Sequence, residues 1–230
     1  MVALSENRKS FACDAKFKHV YQLKITLRGT KPAVWRRIQV PEVYSFWGLH
    51  VAITDCMPWA DYHLHLFQAQ DPTFSVKHDI GIPPEDVTGW EDDDLTLPGW
   101  DVDIAPYFTF KRPKVRYLYD FGDGWEHTVR LEKILPREKG ISYPRCVGGK
   151  RACPPEDCGG VGGYGDLLRT LADPSDERHQ ELLGWVGGSF DPDAFSCADV
   201  QFDDPEKRWR IALGGEEPVP GMRIDYQPST

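Results

Sequence analysis

The chain has 230 residues and a mass of 26.2 kDa, enough for a domain that buries a sizeable core without disulfides or metal to hold it. Thirty-six acidic against twenty-seven basic side chains leave a net charge of −9, which disfavours a general electrostatic grip on nucleic acid. With no apolar run near the roughly 18 residues of a membrane helix and no export signal at MVALSENRKSFACDAK, the expectation is a cytoplasmic chain with reduced thiols and no membrane partner.

Residues 1–18 read as a flexible polar leader. From His19, VYQLKITL places Tyr21, Leu23, Ile25 and Leu27 on one face and Gln22, Lys24, Thr26 and Arg28 on the other, a strand period. A turn over Gly29–Pro32 returns the chain through Val34–Val40, which completes a hairpin. Ser45 caps a helix whose Phe46, Leu49, Ile53 and Met57 share one stripe, and Pro58 helps to stop it. Tyr62–Phe67 reads as a third strand, with His63 and His65 on one face and Leu64 and Leu66 on the other, against the helix.

Residues 71–106 carry ten acids and one lysine among several prolines, and read as a long acidic surface loop with room for one short strand. Further strands are expected at Tyr107–Phe110 and Val115–Tyr119. The Gly122-Asp123-Gly124 turn leads from the latter into the alternating Glu126–Ile134. The charge balance reverses over 107–151, with eleven basic residues and five acids, so the acidic loop could fold over this basic surface. A Pro/Gly-rich loop spans Tyr143–Gly165. Helices follow at Asp166–Leu171 and Pro174–Val186, the second with Asp173 as its cap, and Asp204-Pro205 opens a last short helix. The fold class is therefore α+β: a mostly antiparallel sheet opening β-β-α-β, helices packed on one side, and a C-terminal helical segment. The domain spans 19–200, and 201–230 is a short helix with a poorly ordered tail.

Four motifs invite a chemical reading. GGVGGYG contains a formal G-x-G-x-x-G, but CPPEDC upstream cannot be a buried strand, so a loop closing onto a helix explains it better than a dinucleotide site. Cys146, Cys153 and Cys158 are separated by six and four residues, where zinc pairs usually take two to four, and a fourth ligand would have to be a distant His, Asp or Cys, so packed thiols are favoured over zinc. His63 and His65, about 7 Å apart on a strand, could share a ligand or a metal with His50 as a third group, against the plainer reading of hydrogen-bonded strand residues. YLYDFGDGWEH concentrates Asp120, Asp123, Trp125, Glu126 and His127. As a catalytic group His127 would be the general base and Asp120 its orienting partner; as a hairpin, the carboxylates simply bond the turn backbone.

The stretches Leu49-His50 to Trp59, YHLHLF, YDFGDGWEHTVRLEKI, CVGGKRACPPEDCGG-x-x-GY and FDPDAF together resemble the plasmid pRiA4b ORF-3-like family, over about Tyr21–Phe195. Members of that family also occur as passenger proteins of bacterial insertion elements. The resemblance implies a single compact α+β domain and carries no activity. It weights His50, His63, His65, Asp120, Asp123, Trp125, Glu126, His127, Cys153, Glu156 and Asp157 as a shared surface. The hairpin, the CPPEDCGG loop and the HLH strand are expected to converge on one concave patch lined by Trp125, His127, His63 and Asp157. A binding or accessory domain for an unidentified protein or small molecule is the first reading, ahead of a metal-dependent or His/Asp hydrolase and a nucleic-acid-associated protein; no cofactor is assigned.

Overall fold

A computed structural model describes residues 16–74, 76–83 and 96–214. In chain order the elements are β1 (His19–Leu27), β2 (Trp35–Pro41), α1 (Phe46–Cys56), β3 (His65–Gln70), β4 (Lys77–Gly81), β5 (Thr96–Pro98), β6 (Lys114–Tyr119), β7 (Trp125–Pro136), β8 (Arg145–Lys150), α2 (Gly160–Ala172), α3 (His179–Trp185) and α4 (Pro205–Gly214). The strands form one sheet in the order β5-β4-β3-β6-β7-β1-β2-β8, antiparallel throughout except for the β4–β5 pair. A mostly antiparallel sheet with helices is an α+β fold. Among the described residues no helix is long and apolar enough to cross a membrane.

Alternation in the strands sorts the two faces of the sheet. Leu23, Ile25, Ile38, Val40, Phe67, Tyr117, Val129 and Leu131 are buried in one core with residues of α1 and α2. The opposite face is a polar lattice: Arg37 grips Glu132 through two nitrogens (2.6 and 3.0 Å), and Glu126 pairs with both Arg28 and Arg116. Helix α1 is buried on every side because α4 covers what the sheet does not. Trp209 packs on Trp47 and Val51, and the Trp47 indole N–H donates to the Pro205 carbonyl at 2.8 Å. Ser45 caps α1 as expected, its Oγ accepting from Gly48 N at 3.2 Å.

Several elements differ from the sequence expectation. Tyr107–Phe110 is not a strand; Tyr107 and Phe108 are buried by a turn in which both N–H groups bond the Ile104 carbonyl. The 143–165 loop contains β8, which extends the sheet beside β2. Helix α2 starts earlier than expected, at Gly160, and Asp173 ends it rather than capping the next helix, which begins only at His179. The Asp173 carboxylate accepts from Ser175 N at 3.0 Å in the turn between them. Residues 79–106 are not wholly a surface excursion. Strands β4 and β5 join the sheet, and Ile80 and Ile104 are buried in the core. Six of the ten acids of 71–106 fall in 84–95, outside the described residues, as do most of the leader and the tail beyond 214. At α4 the Asp204-Pro205 start holds, with Asp204 Oδ1 accepting from Glu206 N at 2.9 Å.

Candidate functional site

Three segments far apart in sequence meet at one end of the sheet. The turn between β6 and β7 starts at Asp120, in the left-handed region at φ 57°, which aspartate tolerates better than most residues. Asp120 N donates to the Leu64 carbonyl at 3.0 Å, and Gly122 N donates to Asp120 Oδ1 at 2.8 Å. Across the turn, Gly159 N donates to Asp123 Oδ2 at 3.1 Å, which joins the CPPEDCGG loop to the hairpin. Gly160 lies so close beneath the Asp123 carbonyl that no β-carbon fits there. Trp59 Nε1 donates to the Pro154 carbonyl at 2.9 Å. Glu156 accepts from the Tyr119 hydroxyl and, at 2.7 Å, from Ala60 N. Burial raises the Glu156 carboxyl above its usual pKa, partly offset by these donors.

At the junction stand His63, Asp120 and Asp157. His63 Nε2 is 3.2 Å from Asp157 Oδ1 and 3.7 Å from Asp120 Oδ2, and the three donor atoms lie within 4.8 Å of one another. Although Nε2 is buried, it makes no well-formed hydrogen bond among the described residues. Asp157, like Asp120 and nearby Asp61, has a positive φ.

Next to this trio is a cavity of about 530 Å³, whose lining includes Trp47, His50, His63, His65, Leu66 and Ile82. His65 stacks on His50 of α1, ring centroids 3.5 Å apart and planes 9° apart. His50 is held at both nitrogens, Nδ1 at 2.9 Å from the Tyr117 hydroxyl and Nε2 at 2.9 Å from Asp61 Oδ1. Behind it, Arg208 of α4 binds Asp55 (2.6 Å), Asp61 (3.5 Å), Asp203 and the Thr54 hydroxyl (2.9 Å). His65 has no such partners: both ring nitrogens are buried and unbonded among the described residues. Burial, aided by the neighbouring His50, holds its pKa well below the usual histidine value.

The expected convergence of hairpin, loop and HLH segment is present, but its members are sorted differently. His63 precedes β3, and His65 faces the helix, because Phe67 and Ala69, on the same parity, fill the core. Leu64, expected against α1, is 54% exposed, so that register was inverted. Trp125 and His127 do not line the patch. Both are completely buried beneath it, packed against Trp59. His127 cannot serve as the base oriented by Asp120: its nitrogens make no well-formed hydrogen bond among the described residues, burial lowers its pKa to about 3, and Asp120 faces His63. Glu126 points to the opposite face, into its arginine pairs. Cys146, Cys153 and Cys158 do not gather as ligands among the described residues; Cys146 Sγ instead lies 3.6 Å from Cys197 Sγ, and Cys153 packs on Met57. Sequence reasoning missed Asp61, Trp47 and Arg208, the last of which approaches from the far end of the chain and leaves no local motif.

The model of the plasmid pRiA4b ORF-3-like proteins matches residues 19–199. The chain belongs to that family. Among pRiA4b ORF-3-like relatives, the uncharacterized protein y4hQ of Sinorhizobium fredii is 36% identical over 193 residues, covering 83% of this chain and 94% of the relative. The crystal structure of MM3350 from Methanosarcina mazei Go1, a protein of unknown function, has 43% sequence identity and a TM-score of 0.75, covering 81% of this chain and all of that one. The pRiA4b ORF-3-like match includes His50, Asp61, His63, His65, Asp120 and Asp157, whereas Arg208 lies beyond it.

Proposed function

We propose that this pRiA4b ORF-3-like chain is a binding domain whose cavity beside His65 takes a small planar ligand. The observation that carries the reading is a buried imidazole with two unbonded nitrogens on the wall of a 530 Å³ cavity. Buried polar groups are rarely left without partners, and a polar group of a ligand at one ring nitrogen would supply one. Because His65 is held neutral and its two nitrogens diverge, the matching ligand presents a single neutral donor or acceptor to one of them rather than a charge. Trp47, Leu66 and Ile82 supply apolar walls for the body of such a molecule. Arg28, Arg37 and Arg116 on the opposite sheet face are already paired with glutamates, which lowers what they offer to phosphate and weighs against nucleic acid.

The test is an NMR screen of the full chain against heteroaromatic fragments with adjacent N–H and C=O groups, such as pyridones and lactams. Binders are expected to perturb the Trp47 indole and residues 63–66, and His65→Phe, which keeps the stack on His50, should weaken them at least about tenfold. Perturbations confined to other surfaces, or equal binding by H65F, would end this reading.

A further inference from the structure

We infer that His63, Asp120 and Asp157 form a site for one divalent transition-metal ion. Ligand atoms around a tetrahedral ion with bonds of about 2.0–2.1 Å are separated by about 3.3 Å. The His63 separations of 3.2 and 3.7 Å bracket that value. Plain ion pairing explains the cluster less well, because His63 Nε2 is buried beside two carboxylates yet has a well-formed hydrogen bond with neither.

The surroundings hold the ligands in place. Asp120 is buried, and its second oxygen accepts from Gly122 N at 2.8 Å and Asp123 N at 3.3 Å, leaving Oδ2 turned toward His63. Outer hydrogen bonds of this kind fix the direction of a ligating carboxylate. The His63 ring meets the Tyr119 ring edge-on at 5.9 Å. Asp157 is the exposed member, at 68% for its side chain, so an ion could enter from that side. One imidazole and two carboxylates suit zinc, manganese or cobalt better than calcium, which prefers oxygen alone, and three protein ligands leave a coordination position open. His63 also lines the cavity, but this inference does not depend on a ligand binding there.

The experiment uses the chelator-stripped full chain titrated with Co²⁺ and then Zn²⁺, followed by calorimetry and visible absorption. One equivalent is expected, with weak d–d bands and no thiolate charge-transfer band. His63→Gln and Asp157→Asn, neither of which removes a turn-forming group, should each weaken binding at least about tenfold. No binding, a thiolate charge-transfer spectrum pointing to the cysteines, or unchanged affinity in both variants would each overturn the site. The fragment screen of the cavity reads a different event, so either proposal can fail alone.

Discussion

Gly160 determines how closely the CPPEDCGG loop can approach the hairpin. It combines φ +65° with a contact to the Asp123 carbonyl that leaves no room for a methyl group. Gly160→Ala is therefore expected to lose about 1–3 kcal/mol in urea unfolding, from left-handed strain and the displaced turn. The β3 parity gives a sharper comparison. Leu64→Ser should change stability by no more than about 0.5 kcal/mol, whereas Phe67→Ala should cost about 3–5 kcal/mol. Equal losses would mean that Leu64 faces the core after all. The sequence contained the information to settle this register, since Phe67 and Ala69 continue the parity of His65, but a four-residue HLHL pattern alone suggests the opposite. His127 misleads for a related reason: a histidine in a motif-rich hairpin looks catalytic, and only strand parity with Trp125 and Val129 shows that it points inward.

Helix α4 matters more than its position near the end of the described chain suggests. Its Arg208 is the cation among Asp55, Asp61 and Asp203, with Asp55 and Asp61 almost wholly buried. Arg208→Met would leave those carboxylates without their counter-charge, and a loss of about 3–5 kcal/mol is expected in denaturant titration. A loss below about 1 kcal/mol would show that water reaches the acids. Elements with a clean period were legible in sequence: β1, β2, α1, β6 and β7 are near their expected places. Strand β8 was not, because Gly148 and Gly149 give no alternation and its place in the sheet comes from pairing with β2. Strands β4 and β5 were hidden by the acidic composition around them, and α3 by a Pro174 that begins a turn instead of a helix.

The whole molecule should be sensitive to acid, and the sign follows from its buried histidines. His127 in the fold has a pKa of about 3 and His65 is also lowered, whereas both titrate near 6.5 when unfolded. Above pH 6.5 neither state binds these protons, so the two histidines leave stability unchanged. Below it the unfolded chain takes up protons that the fold refuses, and stability falls by up to about 1.4 kcal/mol per pH unit for each histidine until the folded pKa is reached. Comparing urea midpoints at pH 7.5 and 5.0, His127→Leu should lose less than the wild type over that interval. An equal loss would place the acid sensitivity elsewhere.

The three donors at the junction stand at positions 63, 120 and 157, on segments that meet only when the sheet, the β6–β7 turn and the start of α2 are all in place. No short stretch of this chain can contain the site, so it is complete only at the last stage of assembly. An ion that requires all three donors has little to hold in the folding transition state and much to hold in the finished fold. It should therefore act on time rather than on route: unfolding slows, by the ratio of free ion to its dissociation constant once that ratio is large, while the folding rate stays the same. Chevron plots with and without Zn²⁺ would then share a folding arm and separate along the unfolding arm, and the junction would work as a latch that closes behind the chain.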